Sequence, residues 1–239
     1  MECALLAWFA ENGRDLPWRR TRDPYAILVS EVMLQQTQVE RVVPRYAAWL
    51  ERWPTVESLA AASPADVIHE WQGLGYNRRS LNLLRAARLV AEAGWPDDLT
   101  ELPGIGPYTA AAIRRFAFDE DVLPMDVNVE RVLRRTRSLF SSAAAEALMD
   151  LGGTVCIARI PRCYVCPLEE DCPSHGTRDE PARKQGSFEG SFRQRRSIAL
   201  RQIASDATPA AELDGAAVES LLRDGLVELA DDGLVRLPS

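Results

Sequence analysis

Apolar side chains recur about every 3.6 residues along most of the first 153 positions, which is the spacing of one face of an α-helix. Clusters of Gly, Pro and helix-capping residues interrupt this pattern and divide it into short helices. No segment in this part shows the two-residue alternation of a strand, so the pattern predicts an all-α main body. The interruptions lie at 13–18, 53–55, 63–64, 73–75, 94–98, 102–106 and 122–125.

The pattern changes after residue 190, where short helices precede two apolar-alternating runs around an Asp-Gly turn. This order is typical of a small winged-helix-like module at 191–239, and a polar linker at 176–190 separates it from the main body. Such modules often bind DNA, but this one is rich in Asp and Glu, so a packing or partner role is equally open. The helices are predicted near 193–204, 209–213 and 216–223, and the hairpin within 226–237.

The formal net charge of −7 argues against a nucleic-acid partner only if the charges are evenly mixed. The arginines are instead concentrated in tight groups within the first 140 residues, and such groups can form a local basic face that binds phosphates. Any one group could equally belong to a solvated helix face. The groups are Arg19, Arg20 and Arg22; Arg78 and Arg79; Arg114 and Arg115; and Arg131, Arg134, Arg135 and Arg137.

No apolar run approaches the roughly 18 residues that a membrane-spanning helix requires. The apolar run at 4–10 has no basic residue before it, so it predicts an amphipathic helix rather than a signal peptide. We therefore expect a cytoplasmic protein without a membrane partner.

Four of the five cysteines lie within 17 positions in the spacing C-x6-C-x2-C-x5-C, and Cys3 stands apart. In a chain without an export signal, this clustering indicates a metal site rather than disulfides. Zinc sites usually present two close cysteine pairs, whereas an uneven series suits an iron–sulfur cluster held by four thiolates; spacing alone leaves both open. The four candidate ligands are Cys156, Cys163, Cys166 and Cys172.

The segment LPGIGPYTA (102–110) joins two predicted helices through Gly104 and Gly106. Glycines permit positive φ angles and let backbone N–H groups approach a phosphate next to a helix N-terminus. The same turn could be an ordinary connection, but between two helices it is typical of a helix–hairpin–helix that grips the DNA backbone. Arg159 and Arg162, between the first two clustered cysteines, are candidates for a further phosphate contact.

Two carboxylates are candidates for chemistry. Asp126 directly precedes a predicted helix, where it could be an ordinary N-cap or a carboxylate kept ionised to stabilise a cationic sugar. Glu31 lies on a helix whose neighbouring positions, Ile27, Leu28 and Leu34, are apolar. An apolar setting raises the pKa of a carboxyl toward the range of a general acid, although a solvated helix glutamate is the commoner finding.

Lysine and histidine are scarce, which limits the possible mechanisms. The sole lysine is Lys184, in the polar linker, and the histidines are His69 and His175. A Schiff-base lysine or a Ser–His–Asp relay would have to use these positions.

Five motifs together resemble the MutY adenine glycosylases of the helix–hairpin–helix superfamily, which includes endonuclease III. The resemblance covers about residues 5–175. It implies a six-helix barrel at 21–126 that carries the hairpin, and a second lobe, formed by 1–20 and 127–175, that holds a 4Fe–4S cluster. The motifs are SEVMLQQT (30–37), GLGY (73–76), LPGIGPYT (102–109), DVNVERV (126–132) and the four-cysteine series.

The resemblance also implies roles for individual residues. Glu31 would protonate adenine at N7, and Asp126 would stabilise the oxocarbenium-like sugar, with Tyr108 and Asn128 supporting these carboxylates. Because relatives that also nick the strand carry lysine where Tyr108 stands, the implied enzyme is a monofunctional glycosylase.

Gln36 and Tyr76 would fill or wedge the base stack that the flipped nucleotide leaves. The implied partner is double-stranded DNA with a mismatched or damaged base pair. We expect a monomer associated with the nucleoid.

Three departures from the family pattern keep alternatives open. The chain has a short tail where typical members carry a Nudix-like domain, Val127 and Asn77 replace the usual Gly and Tyr, and 138–147 is shortened. A thymine or uracil mismatch glycosylase is one alternative, and a non-catalytic iron–sulfur DNA-binding protein is another. The retained carboxylate pair favours an enzyme, and the combination of Glu31 with Tyr108 favours adenine.

Overall fold

The computed structural model describes residues 1–180 and 186–239. Within these ranges, strands occur only after residue 207, so the predicted all-α main body is confirmed. The helices are α1 (Glu2–Asn12), α2 (Pro24–Leu34), α3 (Val39–Arg52), α4 (Val56–Ala60), α5 (Pro64–Glu70), α6 (Arg78–Ala93), α7 (Pro107–Phe116), α8 (Val127–Thr136), α9 (Ala145–Asp150), α10 (Phe192–Ser205) and α11 (Gly215–Arg223). The strands are β1 (Thr208–Pro209), β2 (Glu228–Leu229) and β3 (Leu234–Arg236).

Local capping explains where several helices begin. Thr55 accepts a hydrogen bond from the Ser58 backbone N–H and starts α4, and Ser63 accepts from the Asp66 N–H and starts α5. Asp126 caps α8 in the same way. These side chains satisfy N–H groups that the first helical turn leaves without intrahelical partners.

The chain forms two compact units. Unit 1 consists of Met1–Ile27 with the described part of Gly106–Lys184, and unit 2 consists of Leu28–Ile105 with the described part of Gln185–Ser239. This division assigns α7 to unit 1, whereas the sequence groups it with the barrel. The predicted lobe boundaries at 20/21 and 126/127 stay predictions.

Unit 1 is built on an apolar core in which Leu5 of α1 packs with Val129 and Val132 of α8 and Leu148 of α9. A π-helical turn, Leu151–Val155, follows α9 and leads directly into Cys156. Single π-turns interrupt the regular i→i−4 ladder and are frequent at functional sites.

Unit 2 contains α3 to α6 and a cluster of tryptophans. The Trp49 ring meets the Trp53 and Trp71 rings edge-on, at centroid distances of 4.6 and 5.5 Å. Trp49 and Trp71 are fully buried, so this cluster belongs to the core of unit 2.

The C-terminal segment has the element order of a winged helix. Helix α10 is followed by β1, a 3-10 turn (Ala210–Glu212), α11 and the β2–β3 hairpin, and the antiparallel sheet has the order β1-β3-β2. The hairpin prediction is confirmed. The predicted second helix is only the 3-10 turn, and β1 was not predicted, because a two-residue strand ending in proline carries no periodic signal.

This C-terminal segment shares its core with the rest of unit 2. Leu200 of α10, Leu221 of α11 and Val235 of β3 are buried in one cluster with Ile68 of α5 and Leu81 of α6. The segment is therefore part of unit 2 rather than a freely tethered module.

In residues 1–180 and 186–239, no helix is both long and apolar enough to cross a membrane. Lys184 and part of the predicted linker at 176–190 lie outside the described residues.

Candidate active site and cysteine pocket

Glu31 lies in the last turns of α2 and is buried, with 6% of its surface exposed. Of the apolar neighbours that the sequence names, Ile27 and Leu28 are buried and Leu34 is half-buried. The raised pKa that the sequence predicts for Glu31 stays a prediction. Glu31 belongs to unit 2 and Asp126 to unit 1, and the pairing of these two carboxylates stays a prediction.

Asp126 is fixed by three hydrogen bonds at the N-terminus of α8. Its Oδ1 accepts from the backbone N–H groups of Asn128 (2.9 Å) and Val129 (2.7 Å), and its Oδ2 accepts from the Asn128 side-chain amide (2.8 Å). The helix N-terminus favours an anion at this position. Asp126 is thus both an N-cap and an oriented carboxylate, so the two interpretations from sequence are compatible.

Asn128 connects Asp126 to the cysteine segment through Arg131. Arg131 Nη2 donates to Asn128 Oδ1 (2.8 Å) and to the Gly152 carbonyl (2.7 Å), and Arg131 Nε donates to the Cys156 carbonyl (2.8 Å). Burial is the main cause of the lowered pKa of Arg131. A continuous set of hydrogen bonds therefore runs from the Asp126 carboxylate to the first clustered cysteine.

Gly152 permits the close approach on which this network depends. A Cβ atom at Gly152 would lie 2.8 Å from Asn128 Cβ and 2.9 Å from the Asn128 carbonyl oxygen. Real Cβ atoms do not approach other heavy atoms so closely, so any larger residue would push the start of α8 away from the π-turn.

One pocket of unit 1 is lined by all four clustered cysteines: Cys156, Cys163, Cys166 and Cys172. Two N–H groups point at their sulfurs: Arg135 Nη1 donates to Cys156 Sγ (3.4 Å), and the Gly176 N–H donates to Cys163 Sγ (3.4 Å). Burial, together with the other three thiols, raises the pKa of the Cys166 thiol to about 11.

Arg135 belongs to the wall of the same pocket. It is 2% exposed, and within the described chain its Nε is the one buried side-chain nitrogen or oxygen that has no hydrogen-bond partner. An orphaned cationic N–H beside four thiols fits an anionic group bound through those sulfurs. Across 1–180 and 186–239, no three His, Cys, Asp or Glu side chains are arranged to hold a metal ion.

Gln36 and Tyr76 are both exposed and both have left-handed backbone conformations, with φ angles of 57° and 48°. Such angles are uncommon for residues other than glycine, and for a bulky side chain they indicate a conformation imposed by the surroundings. Both residues belong to unit 2. Gln36 precedes Thr37, whose hydroxyl accepts from Arg79, and the Tyr76 carbonyl itself accepts from Arg79.

The predicted hairpin is present, but its two glycines differ. Gly104 has a φ of 81°, and a Cβ atom there would lie 2.9 Å from Asn82, so this position requires glycine. Gly106 is in the extended region and is the N-cap of α7, so the expectation of positive φ holds for Gly104 alone. Gln35 Nε2 donates to the Gly104 carbonyl at 3.3 Å.

Other predicted site residues lie within unit 1. Tyr108 is half-buried in the first turn of α7, and Arg159 and Arg162 are exposed on the segment between Cys156 and Cys163. Arg159 approaches Glu180 at 3.9 Å.

The interpretation of the arginine groups as basic faces is wrong for several members. Arg79 and Arg135 are buried, Arg19 is bonded to the buried Asp150, and Arg114 and Arg115 pair with Glu120 and Asp119. A cluster of arginines in the sequence does not indicate which of their side chains will be buried or paired with a carboxylate.

Sequence reasoning also missed the structural roles of Arg131, Gly152 and Asp150. Their partners lie far away along the chain, as Asp150 shows by accepting from Arg14 across 136 positions. The one available signal was the spacing of Asn128 and Arg131, which places both side chains on one helix face.

The comparisons with known proteins agree with one another. A family model described as HhH-GPD superfamily base excision DNA repair protein matches residues 29–152. The adenine DNA glycosylase of Mycolicibacterium smegmatis is 41% identical over 96% of this chain and 93% of its own length. That of Mycobacterium tuberculosis is 39% identical over 98% and 92%, and that of Homo sapiens is 37% identical over 79% and 42%.

Two solved structures show a similar fold. A thermostable thymine-DNA glycosylase superposes with a TM-score of 0.64 at 25% identity, over 72% of this chain and 93% of that one. An endonuclease III in a non-covalent DNA complex superposes with a TM-score of 0.62 at 21% identity, over 72% and 92%.

Proposed function

Because the chain belongs to the HhH-GPD superfamily of base-excision DNA repair proteins, we propose that it removes adenine mispaired with 8-oxoguanine or guanine. Similarity to adenine DNA glycosylases over nearly the full length carries this proposal. A buried Glu31 and an oriented Asp126, in the motifs where such an enzyme needs them, give it a chemical basis.

Glu31 is proposed as the general acid. Burial favours the neutral form of a carboxyl, which can donate a proton. Protonation of adenine at N7 prepares the base to leave with the electron pair of the N-glycosidic bond. Adenine must first leave the base stack, because the bond cannot be reached inside a duplex.

Asp126 is proposed to stabilise the positive charge that develops on the deoxyribose. The Asn128 amide and two helix N–H groups hold the carboxylate in one orientation, so no reorganisation is needed when the charge appears. Water then adds to the sugar carbon, and the products are free adenine and an abasic site. This division of work between two carboxylates is that of glycoside hydrolysis.

The enzyme is proposed to be monofunctional. A glycosylase that also cuts the strand needs an amine near the sugar carbon. Relatives that cut the strand carry a lysine for this purpose, and the present chain has Tyr108 at that position. We therefore expect that borohydride will trap little protein–DNA adduct on a duplex containing adenine opposite 8-oxoguanine. Strong trapping would overturn this part of the proposal.

Cys156, Cys163, Cys166 and Cys172 are proposed to hold a 4Fe–4S cluster, with Arg135 beside it. A bound cluster would cross-link the segment that carries Arg159 and Arg162, which are proposed to contact DNA phosphates. Iron and sulfide analysis with visible absorption should find about four of each per protein. Stoichiometric zinc instead would refute the cluster.

The remaining predicted contacts are proposed to act on DNA in two ways. Gly104 and Gly106 bring the hairpin backbone against phosphates, while Gln36 and Tyr76 occupy the stack around the extruded base. A single copy of the chain contains each proposed group, so we propose a monomer that works on chromosomal DNA.

The experiment is a single-turnover panel with wild type and Glu31→Gln. The duplexes carry adenine opposite 8-oxoguanine, guanine or cytosine, and thymine or uracil opposite guanine. We expect release of adenine from the first two duplexes, and a loss of at least about 100-fold in Glu31→Gln with duplex binding retained. Release of thymine or uracil alone, or an unchanged rate in the variant, would refute the proposal.

A further inference from the structure

Arg79, at the second position of α6, is 8% exposed and ties together two segments of unit 2. One segment is the C-terminal end of α2 with the turn after it, and the other is the loop 74–76. The acceptors are the carbonyls of Val32 (2.6 Å), Met33 (3.0 Å), Leu74 (3.5 Å), Gly75 (3.0 Å) and Tyr76 (3.4 Å), and Thr37 Oγ1 (2.9 Å).

Two aromatic rings enclose the same guanidinium. Arg79 Cζ lies 5.3 Å from the Trp71 ring centroid and 5.6 Å from the Tyr76 ring centroid. Trp71 Nε1 also donates to the Gly75 carbonyl at 3.1 Å. Burial lowers the pKa of Arg79 to about 10, so the group remains a cation at neutral pH.

The two tied segments are those in which Gln36 and Tyr76 have left-handed conformations. Each of these side chains is exposed, and Tyr76 shows 48% of its surface. An exposed side chain gains little from an unfavourable backbone conformation unless its direction matters. The carbonyls and the hydroxyl that Arg79 gathers belong to these same two segments.

We propose that Arg79 is the positioning residue that holds Gln36 and Tyr76, and the end of the Glu31 helix, in the arrangement needed to extrude the target base. This inference rests on the proposed function and adds a residue to it. Arg79 acts through the backbone of its neighbours and through the Tyr76 ring, and it does not touch the reacting atoms.

The chemistry of the side chain explains why arginine is needed. A guanidinium offers five N–H donors in a planar fork, and these can serve acceptors from both segments at once. A lysine ammonium offers three donors from one point, so it can keep the charge but cannot serve both segments. Arg79→Lys therefore tests geometry at constant charge.

A matched control exists on the same helix. Arg88 also caps backbone carbonyls, because its Nε donates to the Ala60 carbonyl and its Nη2 to the Ala62 carbonyl, both at 3.1 Å. These carbonyls end α4 and lie in neither tied segment. Arg88→Lys thus repeats the chemical change without disturbing Gln36 or Tyr76.

The experiment measures single-turnover adenine release from two duplexes that carry adenine opposite 8-oxoguanine. In the stable duplex the target pair is flanked by G·C pairs, and in the loosened duplex it is flanked by unpaired bases. We expect Arg79→Lys to slow release about 10- to 100-fold in the stable duplex and several-fold less in the loosened one. Arg88→Lys should match wild type on both.

A second measurement separates base extrusion from cleavage. A 2-aminopurine next to the target reports unstacking by fluorescence, and Glu31→Gln stops cleavage. At saturating protein concentration, we expect the Glu31→Gln variant to raise the 2-aminopurine fluorescence. The Glu31→Gln/Arg79→Lys double variant should raise it much less. Thr37→Val removes one Arg79 acceptor at similar volume, so it gives a smaller loss of the same kind if Arg79→Lys does not fold.

An equal loss on both duplexes, or an unstacking signal that Arg79→Lys leaves intact, would overturn the inference. If wild type releases adenine from neither duplex, the proposed function fails, and the fluorescence measurement still decides whether Arg79 controls unstacking.

Discussion

Each unit contains a buried charged side chain, Asp150 in unit 1 and Arg79 in unit 2, and the two are satisfied by different partners. In unit 1, Arg14 and Arg19 surround the Asp150 carboxylate at 2.6 and 2.9 Å, and this carboxylate is 1% exposed. In unit 2, Arg79 donates to carbonyl and hydroxyl oxygens and lies between aromatic rings. The buried Asp150 carboxylate is therefore balanced by opposite charge, and the buried Arg79 guanidinium by dipoles.

Because of this difference, we expect acid to destabilise the Asp150 contacts of unit 1 but not the Arg79 contacts of unit 2. Burial tends to raise the pKa of Asp150, but hydrogen bonds from Arg19 and Arg14 outweigh it and hold the pKa below its ordinary value of 3.8. The contacts of Arg79 contain no group that gains a proton in this range. Acid should weaken the Asp150 cluster and leave the Arg79 contacts intact.

The largest effect is expected from Asp150→Ala, which leaves two cations without their shared carboxylate. We expect the free energy of unfolding to fall by about 3–5 kcal/mol, measured by urea titration. Asp119→Ala is the control, because that carboxylate pairs with Arg115 at 2.9 Å but is exposed, and its loss should be smaller. Equal losses would contradict the importance of burial.

The pH dependence follows from the lowered pKa of Asp150. A carboxyl whose folded pKa lies below its unfolded value contributes stability above pH 3.8, and this contribution is lost as pH falls through the folded pKa. The stability difference between wild type and Asp150→Asn should therefore shrink below pH 3.8. Arg79→Lys should keep a constant difference from wild type over the same range.

Gly152→Ala tests how tightly unit 1 holds Asp126. The added Cβ must displace Asn128, so we expect a loss of about 1–3 kcal/mol in stability and slower adenine release. Gly153→Ala is the matched control, because its nearest contact would be Arg14 Nη2 at 3.9 Å. Unchanged release in Gly152→Ala would show that Asn128 can move without cost to Asp126.

The smallest effect is expected from Arg88→Lys. Arg88 caps carbonyls as Arg79 does, but its side chain is exposed, and water can replace the lost hydrogen bonds. We expect a change below about 1 kcal/mol in thermal unfolding. A larger loss would mean that burial is not what distinguishes the two arginines.

Local features of the fold were readable from the sequence. Thr55, Ser63 and Asp126 are capping residues beside apolar-periodic segments, and each starts a helix as expected. The four closely spaced cysteines likewise line one pocket, and the metal site itself stays a prediction. Short-range rules suffice when the partner groups lie within a few residues.

Long-range polar contacts were not readable. Arg79 reaches Val32 across 47 positions, and nothing in an Arg-Arg pair indicates which member turns inward. The direction of a side chain depends on where other helices end, and sequence periodicity does not give that position. Within the tail, β1 was missed because its two residues carry no periodic signal and their partners, such as Val235 opposite Thr208, lie far along the chain.

The shared core of the tail has a consequence for how the chain can be divided. Ile68 and Leu81 pack in one buried cluster with residues of the tail, among them Leu200, Leu221 and Val235. A protein that ended at residue 190 would therefore expose an apolar patch to water. If they are produced separately, the fragments 1–190 and 191–239 should associate and restore this core. Residues 191–239 therefore complete the core of unit 2 and are not an appendage that can be removed without exposing it.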